Sequence, residues 1–174
     1  FDINKYVRLN ASIRYDDFTY LFNNKLPIGT PSANNHFTNW TPKLGINFNQ
    51  NHHGVYINYS EGFVPPQITE IYNAIRVPFL LPQKFKNFEI GSWYQSKKIY
   101  AEVSLYQLNG TNEIISVRQT DGVNLNQNSG ATKHIGIEYQ LRYQLNAQWE
   151  LLINGTNTKH TYINPLIKGT DVSA

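Results

Sequence analysis

The side chains best suited to chemistry in this chain are five histidines and a set of spaced glutamates, and their placement argues against catalysis. Histidine is the commonest metal ligand and the side chain that titrates nearest neutrality. His52 and His53 fall in a short turn, and His36 and His160 lie in or near expected loops. His134 alone falls on a polar strand face, and no pair has zinc-site spacing with a third ligand nearby. Glu89, Glu102, Glu138 and Glu150 share the polar phase of their segments and read as ion-pair partners of Arg8, Arg14, Lys43 and Arg142. The chain carries no Gly-x-Ser-x-Gly elbow and no phosphate-cradling glycine loop. It is expected to be no enzyme, with no cofactor and no metal site. A net charge of +3 is too slight to imply nucleic acid.

The elements that carry these residues are announced by alternation. Between Val7 and Thr158, seven stretches of about ten residues alternate apolar with polar. In the first, Val7, Leu9, Ala11, Ile13 and Tyr15 oppose Arg8, Asn10, Ser12, Arg14 and Asp16. In the sixth, Ile135, Ile137, Tyr139, Leu141 and Tyr143 oppose His134, Gly136, Glu138, Gln140 and Arg142. Shorter versions start near Lys43, Val55, Phe88, Ile99 and Trp149, and Leu152 puts an apolar residue out of phase in the last. A period of two is the period of a strand with one apolar and one polar face. A half-buried sheet of a soluble sandwich alternates as well, so the period by itself does not choose between water and lipid.

Link lengths and aromatic residues favour lipid. The links around Gln50 to His53, Ser96 to Lys98 and Asn146 to Gln148 are tight, whereas Asp17 to Asn39, Phe63 to Lys84 and Asn109 to Gly130 are expected loops of about twenty residues each. Outer-membrane barrels combine short periplasmic turns with long extracellular loops. Phe48, Tyr94, Tyr143 and Trp149 lie beside the short turns, and Tyr15, Trp40 and Tyr59 lie near the long links, as two interfacial girdles would require. Charged residues make up 16% of the chain against a usual value of roughly 25%, yet the mean hydropathy is −0.47. A barrel wall accounts for both, because only alternate residues touch lipid. Zero cysteines suit an oxidising compartment. The chain reads as a piece of something longer, since seven strands leave two unpaired edges that lipid does not tolerate. Asn164 to Ala174, with Pro165 and Gly169, reads as the start of a further loop.

YINYSEGFVPPQITEIY, Tyr56 to Tyr72, and LPQKFKNFEIG, Leu81 to Gly91, resemble the stretches in TonB-dependent outer-membrane receptors of Gram-negative bacteria where one strand rises into a long loop and the next returns from it. SLYQLNGTNEIISV, Ser104 to Val117, with NLNQNSGATKHIGIEYQLRYQL, Asn124 to Leu145, resembles a late hairpin of the barrel. Asn128, Gly130, Thr132, Gly136, Ile137 and Glu138 match the motif that introduces a strand there.

The resemblance implies an all-β, antiparallel transmembrane β-barrel fragment, about seven strands of a larger barrel of ~22. Residues 1–174 are expected to belong to that barrel domain, with the plug, the TonB box and the terminal strands outside them. It implies active uptake of a scarce ligand, most often a ferric siderophore or other iron chelate. Its partners would be outer-membrane lipid and, through the plug, the TonB complex. Ligand recognition in such receptors uses loops and upper lumen, which singles out Phe63, Gln67, Tyr72, Arg76, Phe79, Arg118 and Gln119 as candidate ligand-binding residues. A glycan importer of the same family, a passive barrel and a soluble all-β carbohydrate-binding module are the alternatives.

Overall fold

A computed structural model of the chain describes residues 1–26, 29–72 and 76–163. The expected loop over 164–174 lies outside the described residues. Seven strands follow one another as β1 (Val7–Phe22), β2 (Ala33–Gln50), β3 (His53–Val64), β4 (Gln83–Gln95), β5 (Ile99–Arg118), β6 (Asn124–Gln144) and β7 (Glu150–Tyr162). One turn of helix, α1 (Ile68–Ile71), sits between β3 and β4. Each strand pairs antiparallel with the next, in the order β1 to β7, as an open sheet whose edges are β1 and β7.

The register converts the alternation into two continuous faces. Leu9 stands opposite Ile46, Ile46 opposite Ile57, Ile57 opposite Ile90, Ile90 opposite Leu105 and Leu105 opposite Ile137. That row of aliphatic side chains crosses six strands, and Ile46, Ile57, Ile90, Leu105 and Ile137 are all exposed. One residue away lies the row Arg8, Asn47, Tyr56, Gly91, Ser104, Glu138 and Thr156. Two-faced alternation that holds across every ladder cannot survive a one-residue slip, which would put polar side chains among the aliphatic ones on every strand. Among the described residues the buried apolar side chains are Phe37, Pro66, Ile71 and Leu80.

Aromatic residues bound the apolar face. Tyr15 and Trp40 are cross-strand partners with ring centroids 4.7 Å apart, and Tyr6 meets Phe48 at 6.2 Å. From Phe48 to Trp40 is eight residues of strand, about 27 Å along the chain. A barrel tilt near 40° brings the two rows to about 20 Å apart across the membrane, comparable to an apolar band of about 25 Å. The tight links hold as expected. Asn51, in the left-handed region at φ 54, turns β2 into β3, and the Asn146 side-chain oxygen accepts from the amides of Gln148 (2.9 Å) and Trp149 (3.0 Å) between β6 and β7.

The long links differ from the sequence reading. Only residues 23–32 connect β1 to β2 and only 119–123 connect β5 to β6, because the ladders run on through Asp17–Phe22, Ala33–Asn39, Asn109–Arg118 and Asn124–Gly130. Ala33–Asn39, Asn109–Arg118 and Asn124–Gly130 are rich in Asn, Gln, Ser and Thr, and Asp17–Phe22 carries its aromatics on the opposite phase from Val7 to Tyr15, so the apolar period is lost even though the backbone pairing continues. Backbone pairing does not need an apolar face once the strands have left the hydrocarbon. β5 and β6, at 20 and 21 residues, therefore stand well clear of the apolar band. The link between β3 and β4 alone keeps the expected length, and it carries α1.

Replacing Ile90 by Arg in the full-length protein is expected to cost about 2–4 kcal/mol of folding free energy in phospholipid vesicles. Glu89→Gln, one residue away on the polar face, should cost under 1 kcal/mol, both read from urea titrations. Equal costs would show that the aliphatic row does not face lipid.

Candidate functional site

The polar face is the inner face of the sheet, and two features occupy it. The lower feature is a groove of about 440 Å³ lined by Tyr56, Glu89, Glu102, Ser104, Glu138 and Gln140, among others. The Tyr56 hydroxyl lies between two carboxylates, 2.9 Å from Glu89 and 3.0 Å from Glu102, and Tyr100 also donates to Glu102. The Tyr56 ring lies over Gly91 and the Tyr106 ring over Gly136. A Cβ on Gly136 would stand 2.6 Å from Tyr106 Cζ, so the absent side chain is what lets the ring lie flat on the wall.

These contacts correct the expected ion pairs. Only Arg142 meets its proposed partner, Glu150, at 3.7 Å. Arg8 binds Asp2 (2.6 Å) and Arg14 binds Asp16 (2.7 Å), while Glu89 and Glu102 take tyrosine hydroxyls. Sharing a face is not sharing a neighbourhood. Arg8 and Glu138 lie in one cross-strand row but five strand spacings apart, about 24 Å. His160 is a second correction. It lies on β7 directly opposite His134, so two histidines, not one, face inward. His53 begins β3 opposite Gln50, leaving Asn51 and His52 as the turn.

The upper feature is the β3–β4 segment, folded back over the inner face. Pro66 and Ile71 are fully buried, and Ile71 and Leu80 pack with Phe37 of β2 into a dry cluster flanked by Tyr20, Tyr72, Val77 and Ile114. A carboxylate caps the helical turn: the Gln67 amide donates to Glu70 Oε2 at 2.7 Å. Tyr72 stacks on Phe22 at 4.4 Å with 13° between the ring planes, and its hydroxyl donates to Asn35 Oδ1 at 2.5 Å. Burial raises the pKa of that hydroxyl, which keeps it a donor.

On the far side the same segment is tied to β5 and β6. Asn126 Nδ2 donates to Glu70 O at 2.8 Å. Asn128 accepts from Leu81 N at 2.7 Å and donates to Leu81 O at 2.9 Å and to Asn112 O at 2.6 Å. Asn112, at φ 56, opens a bulge in β5 that turns the Glu113 carboxylate inward to accept from the Thr132 hydroxyl at 2.5 Å. Gly130 leaves the room for it, since a Cβ there would lie 2.6 Å from Glu113 Cβ. The motif residues Asn128, Gly130, Thr132 and Gly136 thus have concrete work in holding the segment and the wall beneath it. Asn112, Glu113 and Asn126 escaped the sequence reading, and the Asn-rich alternation of β6 was their available signal.

The candidate ligand residues separate into two groups by placement. Phe63 packs edge-on against Phe18 with centroids 5.9 Å apart, Tyr72 is engaged as described, and Gln119 closes the β5–β6 turn through Val117 and Val123. Gln67, Arg76, Phe79 and Arg118 are exposed, Phe79 by 86%. Arg76 reaches Asp121 at 3.1 Å, joining the β3–β4 segment to the β5–β6 turn.

A two-faced antiparallel sheet with its ladders in unbroken sequence order is the form a β-barrel wall takes, and family comparison agrees. A family model described as TonB dependent receptor-like, beta-barrel matches residues 1–173. The chain belongs to the TonB-dependent receptor family. Its receptors and transporters are not enzymes. Among solved structures, the chain is similar to the ferric-catecholate import receptor Fiu of E. coli K12, with 19% identity and a TM-score of 0.71 over 93% of this chain and 26% of that one. It is also similar to the ferric yersiniabactin uptake receptor FyuA of Yersinia pestis, with 14% identity and a TM-score of 0.75 over 94% and 26%. The alcaligin outer membrane receptor FauA of Bordetella pertussis follows, with 17% identity and a TM-score of 0.68 over 94% and 29%. At such identities the likeness shows the fold alone. The chain spans between a quarter and a third of the length of these receptors.

Asn128→Ala in the full-length receptor is expected to remove three hydrogen bonds and to cost about 1–3 kcal/mol locally. Amides of Arg76, Val77, Phe79, Leu80 and Leu81 should then exchange about ten- to a hundredfold faster, while those of β4 near Ile90 stay protected. Unchanged exchange would show that the Asn128 hydrogen bonds do not hold the segment.

Proposed function

We propose that this barrel segment is part of a receptor that imports a scarce iron chelate, a ferric siderophore in the first instance, across the outer membrane. Residues 1–174 would contribute one arc of the barrel wall. Other strands would close the open edges of β1 and β7, and an N-terminal plug would couple transport to the TonB complex. No bond in the ligand is broken. What the receptor must do is recognise, enclose and release.

The observation that carries this reading is the inward-folded β3–β4 segment, rooted on Ile71 and Leu80, with Phe79 and Arg76 exposed on it, Arg76 paired to Asp121 of the β5–β6 turn, and Arg118 exposed at the end of β5. An exposed ring together with two guanidinium groups suits a bulky ligand that combines apolar or aromatic surface with negative charge, as ferric chelates commonly do. Gln67, Arg76, Phe79 and Arg118 would make the contacts. Phe63, Tyr72 and Gln119 would hold the backbone that presents them. The receptors named above, for ferric-catecholate, ferric yersiniabactin and alcaligin, support the ligand class by analogy.

Deleting the full-length gene should abolish growth on one member of a panel of ferric siderophores under iron starvation, and deleting TonB should do the same. Phe79→Ala and Arg118→Ala should each raise the half-saturating chelate concentration about tenfold, equivalent to ~1.4 kcal/mol, with surface expression unchanged. Undiminished growth on every chelate, with loss of growth on an oligosaccharide instead, would move the receptor to the glycan importers.

A further inference from the structure

His134 and His160 take no part in the segment or the groove described above. They are cross-strand partners on the inner face of the β6–β7 ladder. Their rings meet edge to face, with centroids 4.6 Å apart and 75° between planes, and their Nδ1 atoms are in direct contact. The other nitrogen of His134, Nε2, lies 3.0 Å from Thr132 Oγ1, and the Thr132 hydroxyl donates to Glu113 Oε1 at 2.5 Å.

The direction of this chain follows from what each group can give. A carboxylate only accepts, so Thr132 directs its single proton to Glu113 and its oxygen is left to accept from His134 Nε2–H. Neutral His134 therefore carries its lone pair on Nδ1, aimed at His160. A carboxylate acting on the far nitrogen of an imidazole orients the ring and fixes which nitrogen remains free. Thr132, which relays that influence, is itself buried.

We propose that His134 and His160 form a two-imidazole site for a divalent transition-metal ion on the inner wall of the barrel. The ion takes the place of the shared proton. His160 moves that proton from Nδ1 to Nε2 through solvent, both Nδ1 lone pairs turn to the ion at about 2.0–2.1 Å, and water completes the shell with no net proton released. Two such nitrogens stand roughly 3 Å apart, which a small rotation of the exposed His160 ring supplies. Imidazole donors suit Cu²⁺, Ni²⁺ and Zn²⁺ rather than Mg²⁺ or Ca²⁺, and Cu²⁺ binds tightest. The surroundings favour a cation. Along the inner phase of β5 from Tyr100 to Gly110, of β6 from Thr132 to Gln140 and of β7 from Asn154 to His160 there is no Lys or Arg, while Glu102 and Glu138 are present.

The test uses the full-length receptor purified in detergent and titrated with Cu²⁺ alone, with electron paramagnetic resonance as the readout. The wild type should take up one more Cu²⁺ than the H134Q/H160Q double variant, with hyperfine splitting from two imidazole nitrogens. H134Q or H160Q alone should weaken that site at least tenfold. Thr132→Val, which leaves both ligands in place, should weaken it about ten- to a hundredfold. Heat-modifiable gel migration verifies that each barrel is folded. Equal uptake and identical spectra in the wild type and the double variant overturn the site. If the double variant does not fold, the wild-type spectrum decides, since signals from oxygen ligands or a single nitrogen overturn it.

Discussion

Hydrocarbon offers no hydrogen bonds, and that one deficiency governs this chain. Every backbone amide and carbonyl at membrane depth must find a partner within the protein, and a run of antiparallel ladders satisfies them strand by strand. The uninterrupted order from β1 to β7 is the simplest path that does so. The same deficiency sorts the side chains, placing the aliphatic row from Leu9 to Ile137 on one surface and the row from Arg8 to Thr156 on the other. The arrangement inverts a soluble protein, with the apolar groups outside and the polar groups toward a wet interior.

Apolar burial of the ordinary kind is consequently concentrated where the sheet leaves the membrane. Ile71, Leu80 and Phe37 make a small dry cluster at the mouth, and its purpose is to root a segment that would otherwise wave in solvent. Hydrogen bonds supplement it on both flanks, through Asn35 to Tyr72 on one side and through Asn126 and Asn128 on the other. Burial and polar ties together bridge β2 and β6, which no ladder connects directly. This gives the receptor a fixed platform from which Phe79 and Arg76 can project.

The bulge at Asn112 shows how a local irregularity acquires a role. By rolling Glu113 onto the inner face it supplies a carboxylate where strand phase forbids one. Gly110 and Gly130 give it space, and Thr132 passes its influence to the histidines. A strict period of two would have pointed that charge at the lipid headgroups.

The period of two in Val7 to Tyr15 and in His134 to Tyr143 was enough to establish strands, their faces and the all-β class, because each residue's environment is set by its own parity. Tight turns at Asn51 and Asn146 were legible for the same reason, being properties of a few adjacent residues. Polar continuations such as Asn124 to Gly130 were hidden, since backbone pairing leaves no mark on side-chain polarity. Side-chain partners were hidden too: Arg8 folds back on Asp2 rather than meeting a glutamate, and His160 stands across the ladder from His134. Sequence alone determined which face each side chain occupies. Only the tertiary structure decided which side chains meet, because lateral distance depends on strand order and register, and these are set by the whole sheet.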